Sequence, residues 1–316
     1  MTWALLILAG GLLLLWKGAD LLVGGAVGIS ERLGISQLVV GLTVVAMGTS
    51  APEAAASIAA VLAGKGDIAI GNVYGSNIAN LALVGGLVAL IRPLRVQART
   101  LRREIPTMLM VALLLWFTLR NLTFSRMEGD VFIIVFLALI IYTIRTARTG
   151  RVPTFIDESH LPRGVRRSLK KDAAFAVVGL AGLTLGARLA VSGAVTIGTL
   201  IGLSDAVIGS TIMAIGTSLP ELVTCVLAAL KGHHDISIGN LVGSNIFNTL
   251  LVAGIAGMTR PFTVSARFAN GIDYWIMLGV SVGFAEAAIV GRRVIGRASG
   301  VLLLVVYSGY LVVVRV

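Results

Sequence analysis

The stretch GTSAPE at residues 48–53 returns as GTSLPE at 216–221, and GDIAIGNVYGSNIAN at 66–80 returns as HDISIGNLVGSNIFN at 234–248. Both pairs are 168 residues apart, and the same shift carries Gly25-Ala26-Val27 onto Gly193-Ala194-Val195 and Gly34 onto Gly202. A constant offset from about residue 18 to residue 80 reads as duplication without insertion. The chain therefore divides into two halves, residues 1–147 and 172–316, with the repeated motif at 41–80 and 209–248. Between them, 148–171 holds TGRVPTF, HLPRG and the basic Arg166, Arg167, Lys170 and Lys171, a connection with the length and composition of a linker.

Around these motifs the chain is apolar. Of its 316 residues 57% are hydrophobic and 13% charged, with a mean hydropathy of +0.95, against roughly 45–50% and about 25% in a soluble domain. Runs such as Ala4 to Trp16, Ser36 to Gly64, Ile68 to Ile91 and Val207 to Leu230 carry at most one charge, and several approach or exceed the ~20 residues a helix needs to cross hydrocarbon. The loops predict ten spans, at 2–29, 36–63, 68–91, 105–120, 129–146, 172–198, 206–230, 236–259, 271–291 and 298–314. The predicted fold class is an all-α integral membrane protein. Five spans in each half is an odd number, so the second half enters from the opposite face, giving two inverted five-helix repeats.

The net charge of +11 does not indicate a nucleic-acid surface, because the basic residues sit in short loops without interleaved aromatics. They report topology. With the N-terminus outside, the inner loops hold 18 Lys and Arg and the outer side six, and cytoplasmic loops carry the excess. Both termini are predicted outside and the linker inside, in a prokaryotic cell membrane. The single cysteine, Cys225, lies in an apolar run and excludes a disulfide framework. The first apolar run lacks a basic n-region and a cleavage site, and reads as a mature helix.

Within 41–63 and 207–230 the sole charge is a glutamate, Glu53 or Glu221, and 68–91 and 236–259 carry none. An isolated ionised carboxylate is costly in hydrocarbon, so each must be protonated, reach water or hold a cation. Two of them brought together make a site of charge −2, suited to one divalent ion. Thr49 and Ser50 precede Glu53 by four and three residues, on its helix face, and Thr217 and Ser218 stand the same way to Glu221. Pro52 and Pro220 remove a backbone donor and crowd the preceding turn. Kinks there are expected to free carbonyl oxygens near Ala46 to Thr49 and Ala214 to Thr217. Ser76, Asn77 and Asn80, and Ser244, Asn245 and Asn248, add hydroxyls and amides. The set is all oxygen and has no soft ligand, which fits calcium or sodium rather than zinc or copper.

The paired GTS-x-PE and GN-xx-GSN-xx-N segments resemble the two alpha repeats of the sodium/calcium exchanger branch of the cation/calcium exchanger superfamily, and the likeness covers nearly the whole chain. The resemblance implies ten helices, cation sites between the second, third, seventh and eighth, and alternating access by sliding of the first and sixth. Matched residue by residue, it places cation ligation on Thr49, Ser50, Glu53, Ser76 and Asn80, and on Thr217, Ser218, Glu221, Ser244 and Asn248. Some microbial members carry an aspartate where this chain has Asn248, so one titratable group is absent here. The proton-coupled branch shows GN-xx-E in place of GTSxPE, which favours sodium as counter-ion and leaves a proton-coupled calcium or manganese exchanger as the alternative.

The expected protein is a monomeric sodium/calcium antiporter, in contact with lipid, with no cofactor, no nucleic-acid partner and no enzymatic chemistry; no nucleophile is paired with a base. Other polar residues read as structural. Asp67 and Asp235 are expected to cap helices, His233 and His234 to lie in a solvated loop or helix end, and Cys225 to be a packing residue. Asp20 and Arg188 occupy equivalent repeat positions and are expected to pair structurally or sit at the interface.

Overall fold

Hydrocarbon offers no partner to a bare N–H or C=O, so apolar runs must satisfy their own backbone as helices. The computed structural model describes residues 1–147, 168–203, 208, 212, 214–269 and 271–314. Its helices are α1 (Thr2–Leu33), α2 (Gln37–Thr49), α3 (Ala51–Leu62), α4 (Gly66–Ile91), α5 (Ala98–Arg102), α6 (Glu104–Leu119) and α7 (Arg126–Ala147), then α8 (Leu169–Leu200), α9 (Ala214–Thr217), α10 (Leu219–Leu230), α11 (His234–Thr259), α12 (Ala266–Ala269), α13 (Ile272–Val290) and α14 (Arg297–Val314). Among the described residues six spans are long and apolar enough to cross a membrane, α1, α4, α7, α8, α11 and α12 with α13, or seven if α2 and α3, bent by 47° at Ser50, count as one broken span. The chain is thus an all-helical, multi-pass membrane protein. Most of the predicted linker, 148–167, lies outside the described residues. Its last residues do not behave as linker, because Ser168 accepts the Lys171 N–H and starts α8 at Leu169.

Turns obey the 168-residue repeat. Gly34 closes α1 at φ 63° and Gly202 follows α8 at φ 83°, a left-handed conformation that glycine adopts without a Cβ clash. Gly64 and Gly232, the next equivalent pair, also have positive φ.

The two longest helices, α1 and α8, pack along their whole length. Gly11 lies against Gly186 and Ala190, Gly18 against Gly179 and Leu183, and Gly25 against Asp172 and Ala176. One number rises as the other falls, so the helices are antiparallel, and glycine lets their backbones touch. Arg32 of α1 clamps Asp172 of α8 at 2.5 Å. This pair shares a small core with Val40, Val45, Leu227, Ala228 and Ile236, while α4, α6, α7, α11, α13 and α14 enclose a separate, larger one.

Two short ribbons tie the ends of the bundle. β1 (Leu94–Arg95) pairs antiparallel with β4 (Val294–Ile295), and β2 (Thr123–Phe124) with β3 (Phe262–Thr263). β1 follows the last turn of α4, while Phe262 and Thr263 of β3 rest on Gly66 at its first. The ribbons therefore stand at opposite ends of a 26-residue helix, about 39 Å apart at 1.5 Å per residue. The Asp67 and Asp235 expectation is corrected here. Neither caps its own helix; Asp67 accepts the Ser265 N–H at 2.7 Å and Asp235 the Gln97 amide at 2.6 Å. Gln97 and Ser265 are themselves 168 residues apart, so each aspartate anchors a loop of the opposite half.

Candidate functional site

Pro52 and Pro220 each stand at the second position of a helix, where a missing N–H costs nothing, and each is preceded by a break. Ser50 (φ −86°, ψ 6°) separates α2 from α3, and Ser218 (φ −89°, ψ 4°) separates α9 from α10. Glu53 and Glu221 fall in the first turns of α3 and α10, near backbone N–H groups that have no intrahelical acceptor. They are 2% and 1% exposed.

The two halves meet at these breaks. Ser50 Oγ donates to Glu221 Oε1 at 3.1 Å, and Thr49 Oγ1 lies 3.1 Å from Asn240 Oδ1. Asn77 Nδ2 donates to Thr249 Oγ1 at 2.9 Å, tying α4 to α11. Gly239 and Gly243 of α11 bring its backbone against Leu38–Ala46 of α2. Thr49, Ser50, Ser76, Asn80, Ser218, Ser244 and Asn248 are all buried, at 6% exposure or less. Within this belt, Glu53 Oε2, Glu221 Oε2 and both amide atoms of Asn248 have no hydrogen-bond partner among the described residues. Asn77 Oδ1 and Asn245 Oδ1, another equivalent pair, are unpaired too; buried polar atoms are normally paired, so unpaired oxygens on both glutamates and on these amides are free to meet a further electrostatic partner. No cluster of three or more His, Cys, Asp or Glu occurs among the described residues; ligation there would rest on two carboxylates and neutral oxygens.

Some expectations are refined. The kink does not leave the Ala46 carbonyl bare, because it accepts the Ser50 N–H at 3.0 Å, and Val45 O takes the Thr49 hydroxyl at 3.1 Å. The π-helical turn Gly41–Val45 and the bend at Ser50 absorb the proline clash while keeping those bonds. Each carbonyl retains a second lone pair. Ala214 begins α9, and Thr217 is half-buried, facing a cavity of about 410 Å³ lined also by Pro52, Gly216, Pro220 and residues of α8. Asn245 bonds back to Leu241 O at 2.9 Å. His234 and His233 lie at the start of α11, the helix end expected of them, but His234 is buried, and His233 Nδ1 lies 3.1 Å from Gln37 Oε1. Burial, then the neighbouring Lys231 charge, pushes the His233 imidazole down to about 4.

Two residues of the belt escaped the sequence reading. Asn72 donates to Ser57 Oγ at 2.8 Å and to Glu53 O at 3.0 Å; its counterpart Asn240 donates to Cys225 Sγ at 3.2 Å while meeting Thr49. Their signal was present, since both sit four residues before Ser76 and Ser244 in the repeated Gly-Asn pair. Asp20 pairs with Lys231, and Arg188 forms no ion pair among the described residues.

Helices that bury a duplicated belt of oxygens within a multi-pass bundle define the class, a membrane transport protein. The sequence profile described as sodium/calcium exchanger protein matches residues 3–145 and 171–316, and the chain belongs to that family, whose members are transporters and not enzymes. The inner membrane protein YrbG of Escherichia coli is 36% identical over 96% of this chain and 94% of its own. The sodium/calcium exchanger MaX1 of Methanosarcina acetivorans is 33% identical over 98% and 97%. The solved sodium/calcium exchanger from Methanococcus jannaschii superposes with a TM-score of 0.83 at 29% identity, over 98% of this chain and 97% of that one.

Proposed function

We propose that this chain exchanges sodium for calcium by alternating access, with Glu53 and Glu221 as the charged ligands of one mid-membrane site. The observation that carries the reading is the Ser50–Glu221 contact, which places the two helix breaks side by side with an unpaired carboxylate oxygen on each glutamate. Thr49, Ser50, Ser76, Asn80, Thr217, Ser218, Ser244 and Asn248, with the carbonyls of Ala46 and Ala214, would replace the hydration shell of the cargo ion. Ca²⁺ takes 6–8 oxygens in flexible geometry, and these helices offer that many without a third acid. Sodium and calcium would compete for the same carboxylates, and the helices would switch only when the charge is neutralised.

The architecture we propose is ten spans in two inverted halves, 1–147 and 172–316, with α2–α3 and α9–α10 each forming one broken span. The antiparallel α1 and α8, the exchanged ribbons and the two separate matches of one family profile support it. The glycine-packed α1–α8 pair meets α2, α10 and α11 in a small core apart from the larger one, a boundary over which the pair would slide. With both termini outside, the 410 Å³ cavity beside Thr217 lies toward the outer end of α8, and the Asp20–Lys231 pair closes the inner side. We place the protein, as a monomer, in a prokaryotic cell membrane.

Calcium-45 uptake into sodium-loaded proteoliposomes tests the reading against potassium-loaded vesicles and vesicles carrying only a pH gradient. Internal sodium should drive uptake, and Glu53→Gln and Glu221→Gln should each abolish it in protein that still purifies as a folded monomer. Normal uptake by both variants would remove the glutamates from the site. Uptake driven by the pH gradient alone would assign the coupling to protons.

A further inference from the structure

Arg188 is the feature that the exchange mechanism leaves unused. It lies 19 residues into α8 and 12 before its end, about 28 Å and 18 Å from the two termini of the helix. An arginine at such depth is expensive unless it faces water or an opposite charge. Arg188 is exposed, and among the described residues it forms no ion pair or hydrogen bond. It lines the 410 Å³ cavity together with Thr217, Pro220 and Pro52, residues of both glutamate motifs. Among the described residues no acidic side chain shares that lining. Of the three hydroxyls of α8 in that lining, Thr184, Ser192 and Thr196, the two threonines spend their protons on Leu180 O and Ser192 O. Among the described residues the guanidinium thus carries an unpaired positive charge beside a cavity that both glutamate motifs line.

The repeat supplies the contrast. The position equivalent to Arg188, 168 residues earlier, is Asp20, and Asp20 is held by Lys231 at the closed inner end. When the inner side opens and that ion pair parts, the corresponding approach presents an acid.

Resting on the exchange reading above, we propose that Arg188 and Asp20 polarise the two ion entrances, the arginine disfavouring calcium at one face and the aspartate favouring it at the other. Electrostatic work scales with the charge of the ion, so a fixed positive charge penalises Ca²⁺ by the square of the factor it imposes on Na⁺. At a separation of ~10 Å in a water-like medium the factors are about twofold for Na⁺ and about fourfold for Ca²⁺. The ion gradients still fix the direction of net flux. The two charges fix the concentrations at which each face works, giving weak calcium affinity on the face toward which α8 ends and strong affinity on the other.

The test uses full-length protein in proteoliposomes at low ionic strength, where the screening length is tens of ångströms. Arg188→Gln should lower the external calcium KM about fourfold and the half-inhibiting external sodium about twofold, with kcat unchanged, and Arg188→Lys should stay near wild type. In Arg188→Cys, external modification by a membrane-impermeant cationic methanethiosulfonate should restore the high calcium KM, and an anionic one should lower it further. Cys225 is fully buried, so the introduced thiol is the reactive one. Asp20→Asn should raise the calcium KM on the opposite face. About 0.5 M choline chloride should erase the Arg188 differences, since the screening length then falls below ~5 Å. Equal KM values for the cationic and anionic adducts, or shifts that are equal for both ions or persist in high salt, would make Arg188 a lipid-facing or structural residue. Wild-type vesicles that show no sodium-driven uptake would instead overturn the exchange reading itself.

Discussion

Asn240 holds Thr49 with its carbonyl oxygen and Cys225 with its amide, so one side chain joins both halves at the depth of the glutamates. Removing it deletes both bonds, at about 1–3 kcal/mol, and leaves the Thr49 hydroxyl held only within its own helix, by Val45 O. Asn240→Ala should raise the calcium KM about tenfold with the fold retained, a change readable in calcium-45 uptake beside circular dichroism. Asn248→Asp should make calcium uptake fall steeply on acidification where the native chain responds less, because it adds a proton-binding carboxylate beside two others; a pH series on both proteins checks this. His233 concerns stability. Its imidazole titrates near 4 in the fold against about 6.5 unfolded, so the unfolded state binds the proton first and stability is lost as pH falls from 6.5 toward 4. His233→Gln should flatten the pH dependence of thermal unfolding in that window. Helical spacing made Thr49, Ser50 and their counterparts legible in the sequence, because residues three and four apart share a face. It also put Asn72 and Asn240 four residues before Ser76 and Ser244, but it could not reveal their work, which is to satisfy neighbours that only tertiary packing brings near.

Broken helices were readable from proline alone, and α2–α3 and α9–α10 break two residues before Pro52 and Pro220. The π-helical turns Gly41–Val45, Ala79–Val84 and Asn248–Val252 were not, since their extra residue answers packing between helices rather than any local propensity. The aspartate error has the same origin. Asp67 and Asp235 stand where a cap is expected, yet their partners lie in the opposite half, and a loop that remote leaves no mark on local spacing. Glycines recur at seven-residue steps in α1 and α8, and the structure shows backbone laid on backbone there. A methyl group at Gly18 would lie 2.7 Å from the Leu183 nitrogen, and forcing such overlap costs about 1–3 kcal/mol. Gly18→Val should lower the thermal midpoint of the detergent-solubilised protein by several degrees, while the same change at Gly24, where nothing lies within 4 Å, should leave it near the native value.

At the scale of the whole molecule, Asp20 and Lys231 join α1 to the end of α10, across the boundary between the α1–α8 pair and the rest. If that pair moves as a unit, this contact must open and close in every cycle. A disulfide between Asp20→Cys and Lys231→Cys should therefore arrest exchange, and a reductant should restore it; undiminished uptake by the oxidised double variant would mean that the boundary does not shift. The two ribbons bear on something older than the cycle. β1 and β3 hold equivalent places in the repeat, yet β1 pairs with β4 and β2 with β3, so neither half finishes its own edges. A chain of one half would find the same partners on a second, upside-down copy of itself. On the inverted-repeat reading proposed above, the joined protein would be such a dimer with its subunits tethered, each half then free to differ, as Ser57 does from Cys225 and Asp20 from Arg188.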